Sequence, residues 1–246
     1  MSDTNYKTAL VTGATSGIGM ATAIKLAQAG IKVIATGRRL EKLQALKSKI
    51  ACEIIELDIR NQDKIYSSLE NLEIDILINN AGVGRGFSPI FKTDPKDINT
   101  TTETNIISFL HILRAVVPGM VARKKGHVIN LGSIAGLYPM ASSVYGGSKG
   151  AVHLINQNLR LELSGSGVRA TEICPGRVET EFFDVAFADN PEKKKEMTSG
   201  FTLLTQEDIA DAIMFAIKAP WRMNVSLIEI TPTEQAPGGA KIEGVS

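Results

Sequence analysis

The chain has 246 residues, 43% of them hydrophobic and 22% charged, which suits one compact α/β domain with a sizeable core. Its 27 basic and 26 acidic residues give a net charge of +1, so there is no electrostatic reason to expect a nucleic-acid or anionic-membrane partner. Residues 1–7 contain no apolar signal region, and no apolar run approaches the roughly 18 residues of a membrane span. We therefore expect a cytoplasmic protein.

The cysteine and histidine residues give no sign of a metal site. Cys52 and Cys174 each border a strand-like run, and His111, His127 and His153 form no cluster. Buried free thiols in a reducing cytoplasm and structural histidines are the expected roles. We therefore predict no metal cofactor.

The first predicted unit is a strand, a glycine-rich turn and a helix. Residues 8–11 are apolar and lead into the turn 12–19, and an amphipathic helix follows from about residue 18 to residue 29. Glycines in this context allow a tight turn and let backbone N–H groups approach a phosphate at the helix N-terminus. The spacing is Gly-x-x-x-Gly-x-Gly rather than the usual Gly-x-Gly-x-x-Gly. A turn that starts a helix and binds nothing is the alternative.

The second predicted strand, 32–36, ends in Gly37-Arg38-Arg39. Dinucleotide folds that prefer NAD place an acidic residue near this point, about 20 positions after the glycine motif. Two arginines at a helix start oppose the helix dipole by about 0.3–1 kcal/mol each, which suggests a functional reason for them. Because arginine can hold a 2′-phosphate bidentately, the sequence predicts NADP; a solvated helix start is the alternative.

Two further predicted strands end in polar or small residues. Strand 53–57 ends at Asp58, whose carboxylate can accept a hydrogen bond from an adenine amino group or cap the helix predicted over 62–72. Strand 74–78 runs into Asn79-Asn80-Ala81-Gly82, where small side chains let the strand end approach a cofactor.

The middle of the chain contains a loop over 83–89, with Arg85, and a helix predicted over 95–122. Asn105 lies inside that helix, where asparagine is unfavourable. A functional side chain is one interpretation, and a harmless exposed position is the other.

Tyr145 and Lys149 lie four residues apart, which places both side chains on one face of a helix. A free tyrosine titrates near pH 10, and a nearby ammonium lowers that pKa, so the pair is typical of a general acid/base. Ser133 follows the predicted strand 126–131, where its hydroxyl could hold a substrate oxygen against Tyr145. The Tyr-x-x-x-Lys pattern alone is also common by chance.

The C-terminal third contains a strand over 168–174 that ends in Pro175-Gly176. Residues 181–205 are irregular and follow a strand, which is typical of a substrate lid. The tail 232–246 is too rich in glycine and proline for core structure. The remaining predicted elements are a helix over 206–218 and a strand over 226–230.

Strands that alternate with helices predict one domain, 1–246, with a doubly wound, mainly parallel sheet of about seven strands. Ligands of such sheets bind beyond the strand C-terminal ends. Residues from several separate units fall there or on the helix that follows: Gly13, Arg38, Asp58, Asn80, Ser133 and Pro175.

Motifs along nearly the whole chain resemble those of the short-chain dehydrogenase/reductase family. They are Thr12-Gly13-x-x-x-Gly17-Ile18-Gly19, Asn79-Asn80-Ala81-Gly82, Asn105, Ser133, Tyr145-x-x-x-Lys149 and Pro175-Gly176. The resemblance implies hydride transfer between a nicotinamide and an alcohol/carbonyl pair. It implies Tyr145 as acid/base, Ser133 as the residue that orients the substrate oxygen, Lys149 on the nicotinamide ribose and Asn105 in a proton relay.

The resemblance and the strand-end pattern together predict a set of NADP(H)-binding residues. These are Gly13, Thr15, Ser16, Gly17, Ile18, Gly19, Arg38, Arg39, Asp58, Ile59, Asn80, Ala81, Gly82, Tyr145, Lys149, Pro175, Gly176, Val178 and Thr180.

Segments 33–39, 114–120 and 230–233 are similar to those of the bacterial NADP-dependent 3-hydroxy acid (serine-type) dehydrogenases. That likeness implies a small hydroxy acid or acidic aldehyde as substrate. Two residues depart from the family pattern. Ser108 stands where the family usually has glycine, and Arg177 stands where an apolar residue is more common. Arg177 or Arg85 could pair with a substrate carboxylate or sulfonate, or both could be solvated.

Other functions stay open on the sequence. A 3-oxoacyl-thioester or general ketone reductase would carry the same motifs. A redox sensor that binds dinucleotide without turnover is a different class, although such proteins usually lack the tyrosine or lysine. The family also implies a homotetramer, in which the tail 232–246 helps close the substrate site.

Overall fold

A computed structural model of the chain describes residues 6–188 and 190–236, and a seven-stranded sheet runs through this part. The strand order is β3-β2-β1-β4-β5-β6-β7, and every neighbouring pair is parallel. The predicted doubly wound sheet is therefore confirmed. The strands are β1 (Thr8–Thr12), β2 (Lys32–Gly37), β3 (Glu53–Glu56), β4 (Ile76–Asn79), β5 (Gly126–Leu131), β6 (Val168–Pro175) and β7 (Leu227–Ile230).

Helices cover both faces of the sheet. Leu10 belongs to one hydrophobic cluster, while its neighbours Ala9 and Val11 belong to the other, because successive strand residues point to opposite faces. Strands β4, β5 and β6 are buried along their whole length, as central strands of a parallel sheet must be. The helices are α1 (Gly17–Gln28), α2 (Leu40–Lys49), α3 (Gln62–Leu69), α4 (Pro95–Thr102), α5 (Ser108–Ala122), α6 (Ile134–Leu137), α7 (Ser143–Glu162), α8 (Phe182–Ala186), α9 (Pro191–Thr198) and α10 (Gln206–Lys218).

The helix predicted over 95–122 is continuous but not regular. A π-helical turn, Glu103–Ile107, separates α4 from α5 and contains Asn105. The Ser108 hydroxyl donates a hydrogen bond of 2.7 Å to the Glu103 carbonyl, which helps satisfy the altered backbone pattern. Such π turns are frequent at functional sites, so this irregularity draws attention to Asn105.

By length and composition, this stretch is the single helix among the described residues that could cross a membrane. Core helices of globular proteins meet the same criterion. Here α5 packs against α3, β4 and β5 within the fold. The helix therefore gives no independent reason to expect a membrane partner.

The segments after β6 differ from the sequence expectation in detail. The irregular region predicted over 181–205 contains the short helices α8 and α9. Residues 232–236 fold back on their own chain, where the Gln235 side-chain oxygen accepts a hydrogen bond of 3.0 Å from the Arg177 backbone N–H. The rest of the predicted tail, 237–246, lies outside the described residues.

Candidate active site

A cleft of about 550 Å³ lies at the C-terminal ends of the strands, where the sheet order reverses between β1 and β4. Most of the sequence-predicted site residues line it. They are Gly13, Thr15, Ser16, Gly17, Ile18, Arg38, Arg39, Asp58, Ile59, Asn80, Ala81, Gly82, Arg85, Ser133, Tyr145, Lys149, Pro175, Gly176, Val178 and Thr180. Gly19, Asn105 and Arg177 are absent from the described lining residues.

The glycine turn at the start of α1 has the conformation that an anion cradle requires. Gly13 and Gly17 have φ of +68° and +53°, which side chains with a Cβ rarely adopt. Ser16 is the N-cap residue, but its side chain makes no capping hydrogen bond among the described residues. The first-turn N–H groups are therefore available to an anion. Gly19 has a packing role instead, because a Cβ there would collide with the Gly13 carbonyl.

Asn80 fixes the end of β4 against this turn. Its side-chain nitrogen donates to the Thr12 carbonyl at 2.8 Å. The Thr12 hydroxyl in turn accepts the backbone N–H groups of Asn80 and Ala81, both at 3.0 Å. These bonds hold β1 and β4 together at the point where the sheet order reverses.

The two arginines after β2 differ in their surroundings. Arg38 is exposed, whereas Arg39 is the N-cap residue of α2 and is half-buried. The Arg39 guanidinium donates to the hydroxyls of Thr15 at 3.0 Å and Ser16 at 2.8 Å, and to the Glu181 carboxylate at 2.8 Å. The expected basic group therefore lies beside the glycine turn, and Glu181 already engages it.

Asp58 lines the cleft after β3 and does not cap a helix. Its carboxylate accepts a 2.7 Å bond from Arg60, and this hydrogen bonding lowers the pKa of Asp58. The N-cap of α3 is Asn61, whose oxygen accepts from the Lys64 N–H at 2.9 Å. The capping alternative for Asp58 is therefore wrong.

Ser133, Tyr145 and Lys149 meet at the cleft floor. Ser133 is the N-cap residue of α6, and its hydroxyl accepts the Ala135 N–H at 3.1 Å. Tyr145 and Lys149 share one face of α7, whose N-cap is Ser142. Burial raises the pKa of Tyr145 to about 12, and hydrogen bonding with Ser133 lowers it by a smaller amount.

Lys149 does not produce the pKa lowering that the Tyr-x-x-x-Lys spacing predicts. Its Nζ donates to the Leu131 carbonyl at 2.8 Å, and burial lowers the pKa of Lys149 itself to about 8. Desolvation therefore outweighs charge at both groups. A pKa of about 12 favours the protonated hydroxyl of Tyr145 at neutral pH.

Asn105 is buried behind the cleft wall rather than in it. Its side-chain oxygen accepts the Val83 N–H at 2.8 Å, and its nitrogen donates to the Val83 carbonyl at 3.0 Å and to the Ser148 hydroxyl at 3.1 Å. A Cβ on Gly82 would lie within 4 Å of both the Asn105 oxygen and the Lys149 Nζ. Asn105 thus ties the π turn to the loop and helix that carry the cleft floor.

Aromatic residues that the sequence did not assign to the site cover Tyr145. The Phe87 ring stacks on the Tyr145 ring with centroids 4.6 Å apart, and the Phe182 centroid is 5.6 Å from that of Tyr145. Phe187 packs 5.3 Å from Phe87. Phe182 and Phe187 lie in the 181–205 region, where the irregular sequence after a strand predicted a lid, but no sequence signal pointed to Phe87.

The two candidate substrate arginines have different environments. Arg85 lines the cleft, and its guanidinium makes a long 3.5 Å contact with Asp97. Arg177 packs its guanidinium over the Phe201 ring at 5.1 Å, and burial lowers its pKa. Arg85 is therefore the better placed of the two to meet a substrate.

Comparisons with known proteins agree with this geometry. A family model described as short chain dehydrogenase matches residues 7–191. The chain is 41% identical over 242 residues to the NADP-dependent 3-hydroxy acid dehydrogenase YdfG of Salmonella typhi, covering 95% of this chain and 98% of that one. It is 39% identical over 243 residues to the serine 3-dehydrogenase of Agrobacterium fabrum, covering 96% and 97%.

A solved structure agrees equally well. The closed form of serine dehydrogenase complexed with NADP⁺ has a TM-score of 0.90 and 40% identity, covering 97% of this chain and all of the other. The family model and the relatives span the cleft-forming strands and the Ser133, Tyr145 and Lys149 cluster. The chain therefore belongs to the short-chain dehydrogenase family.

Proposed function

We propose that this chain is an NADP-dependent oxidoreductase that acts on a small alcohol/carbonyl pair, specifically a 3-hydroxy acid or a small acidic aldehyde. The observation that carries the proposal is one cleft that joins Arg39 at one end to Ser133, Tyr145 and Lys149 at the other. The relatives named for NADP and for 3-hydroxy acids or serine support the same cofactor and substrate class.

The described residues fit NADP on their own chemistry. The uncapped N-terminus of α1 and its positive-φ glycines suit a pyrophosphate. The cluster of Arg39 and Lys42 already holds the carboxylate of Glu181, so it can hold an anion such as a 2′-phosphate. Asp58 lies in the same cleft, where an adenine amino group could donate to it.

The catalytic roles follow from the protonation states. When bound, NADPH would supply the hydride that reduces the carbonyl carbon. In reduction, the protonated Tyr145 hydroxyl donates its proton to the carbonyl oxygen, while Ser133 donates a hydrogen bond to the same oxygen. Lys149, anchored at the Leu131 carbonyl, would hold the ribose of the cofactor, and Asn105 maintains the π turn nearby. In oxidation, the proton returns to Tyr145.

The surroundings of Tyr145 favour a small, acidic substrate. Phe87 and Phe182 pack on its ring, which leaves little space for a bulky chain. Arg85 on the cleft wall offers a guanidinium that can pair with a carboxylate or sulfonate. A long acyl thioester would need the aromatic side chains to move, so the 3-oxoacyl-thioester reductase is the second choice.

A screen with an arginine variant tests the substrate class. We expect the unmodified protein to oxidise small 3-hydroxy acids with NADP⁺ and to prefer them over uncharged alcohols of the same size. Arg85→Met should reduce that preference about tenfold or more, because a charge-assisted hydrogen bond is worth about 1.5–3 kcal/mol. The measurement is the ratio of kcat/KM for acidic and uncharged substrates in both proteins.

Arg177→Met is the matched control, since it removes the same charge from a side chain packed on Phe201. It should leave the ratio unchanged. Equal ratios in all three proteins would contradict anion recognition by Arg85. Activity confined to acyl thioesters would favour the reductase alternative. Stoichiometric oxidation of NADPH without turnover would favour a sensor.

We also propose a cytoplasmic homotetramer whose tail helps close the substrate site. Large apolar side chains are exposed on α5, α7 and after α10, including Leu110, Leu161 and Trp221, which supports subunit contacts there. Light scattering on the full chain should give about four times 26.4 kDa. A monomer mass would contradict the assembly.

Truncation after Thr231 tests the tail. We expect a loss of kcat/KM, because the truncation removes Gln235, which holds the Pro-Gly segment through the Arg177 N–H. Gln235→Ala in the full chain is the control that isolates this bond. If the truncated protein keeps both its mass and its kcat/KM, the tail has no role in assembly or in the site.

A further inference from the structure

Glu181 joins the two sides of the cofactor cleft. It follows the segment after β6, and its carboxylate reaches the start of α2 on the opposite side. Oε2 accepts a 2.8 Å bond from Arg39, and Oε1 accepts a 2.6 Å bond from Lys42. These two cations come from positions 142 and 139 residues earlier in the chain, so the contact spans the cleft rather than a local turn.

The site around this carboxylate is built for an anion. The Arg39 guanidinium and the Lys42 ammonium converge there, and the hydroxyls of Thr15 and Ser16 accept hydrogen bonds from the same guanidinium. A phosphate monoester uses the same donors. Hydrogen bonds from Lys42 and Arg39 hold the pKa of Glu181 at about 2, so the carboxylate is charged at every physiological pH.

The ion pairs are weak enough to exchange. The side chains of Glu181, Lys42 and Arg39 are 45%, 39% and 38% exposed, so water and salt screen the attraction. A dianion with more acceptor oxygens can therefore replace the single carboxylate.

Glu181 is also connected to the aromatic cover of Tyr145. It directly precedes α8, and the next residue, Phe182, contacts both Tyr145 and Phe87. On its other side, Thr180 lies where a Cβ on Gly17 would touch it at 3.2 Å. The carboxylate that bridges Arg39 and Lys42 is therefore one residue away from a ring that covers Tyr145.

We propose that the Glu181 carboxylate competes with the 2′-phosphate of NADP(H) for Arg39 and Lys42. Binding of the phosphate displaces the carboxylate from both cations and thereby releases α8. The inference rests on the proposed function, since it takes Arg39 as the 2′-phosphate site. It makes Lys42 a further phosphate ligand and Glu181 a residue that sets cofactor affinity. It also links the phosphate that distinguishes NADP from NAD to the aromatic cover of the catalytic tyrosine.

Binding of 2′,5′-ADP and 5′-ADP by calorimetry tests the competition. Glu181→Gln should tighten 2′,5′-ADP about three- to tenfold, because the competing charge is removed, and should leave 5′-ADP unchanged. Glu179→Gln is the matched control. Glu179 lies two residues before Glu181, and its exposed side chain carries the same charge but forms no ion pair among the described residues. It should change neither affinity.

Millisecond hydrogen exchange tests the release of α8. In the unmodified protein, 2′,5′-ADP should speed exchange in peptides that cover 181–188, whereas 5′-ADP should not. In Glu181→Gln, the exchange should already be fast without ligand. An unchanged 2′,5′-ADP affinity in that variant, or exchange that responds equally to both nucleotides, would overturn the inference and leave the proposed function intact. If the unmodified protein binds both nucleotides equally, the 2′-phosphate site itself is refuted.

Discussion

Tyr145→Phe should lose at least about 10²-fold in kcat, because a positioned general acid/base contributes about 10²–10⁴-fold. The hydroxyl is the only atom removed. The Phe87 and Phe182 rings that pack on Tyr145 would pack equally well on phenylalanine. We therefore expect the melting temperature and the Kd for NADPH to change little. The measurements are steady-state kinetics, thermal unfolding and NADPH titration.

Tyr138→Phe is the matched control for this change. Tyr138 precedes the same helix, but its hydroxyl donates to Glu229 at 3.0 Å and the residue lies outside the described lining of the cleft. Full activity in Tyr138→Phe beside a large loss in Tyr145→Phe would support the assignment. Retention of most activity in Tyr145→Phe would refute it.

The proposed role of Tyr145 also predicts how the rates of reduction and oxidation depend on pH. Reduction needs protonated Tyr145, and because burial raises its pKa to about 12, that form persists across neutral pH. Reduction should therefore be flat from pH 6 to about 8 and decline above it, where Lys149, with a pKa of about 8, loses its charge. Oxidation needs the phenolate, so its rate should rise by up to about tenfold per pH unit until Lys149 loses its charge near pH 8.

The fold and the strand-end residues were predictable because their signals are local. Buried parallel strands need continuous apolar runs, and the turn at Gly13 and Gly17 needs positive φ, so both requirements are visible in the sequence itself. Once the alternation of strands and helices fixes the sheet, the strand C-terminal ends must lie together. Ser133 and Tyr145 then reach one cleft without any knowledge of side-chain contacts.

The features that were missed depend on contacts between distant segments. The pKa of Tyr145 is raised because Phe87 and Phe182 help bury it, and neither ring is near it in the sequence. The π turn at Asn105 is accompanied by bonds to Val83 and Ser148 that no helical periodicity reveals. For the same reason, the motif Gly37-Arg38-Arg39 could not show that the distant Glu181 carboxylate pairs with Arg39.

Replacement of Arg39 should change cofactor choice more than catalysis. We expect the unmodified protein to prefer NADPH over NADH by one to a few orders of magnitude, since each charge-assisted bond to the 2′-phosphate contributes about 1.5–3 kcal/mol. Arg39→Ala should lower kcat/KM for NADPH about ten- to a hundredfold and leave NADH nearly unaffected. Arg38→Ala should have a smaller effect, because the Arg38 side chain is exposed and solvent would screen its attraction for a phosphate.

Arg60→Ala is the control for Arg39→Ala. It shows whether a change in cofactor preference comes from losing the 2′-phosphate contact or from losing any positive charge in the cleft. Arg60 also lines the cleft but pairs with Asp58, on the side where the adenine is expected, so its removal should weaken both cofactors by similar factors. A change in the NADPH/NADH ratio that is confined to Arg39→Ala would locate the discrimination beside Thr15 and Ser16. Equal kcat/KM for the two cofactors in the unmodified protein would instead mean that Arg39 binds no phosphate and serves only its contacts with Thr15, Ser16 and Glu181.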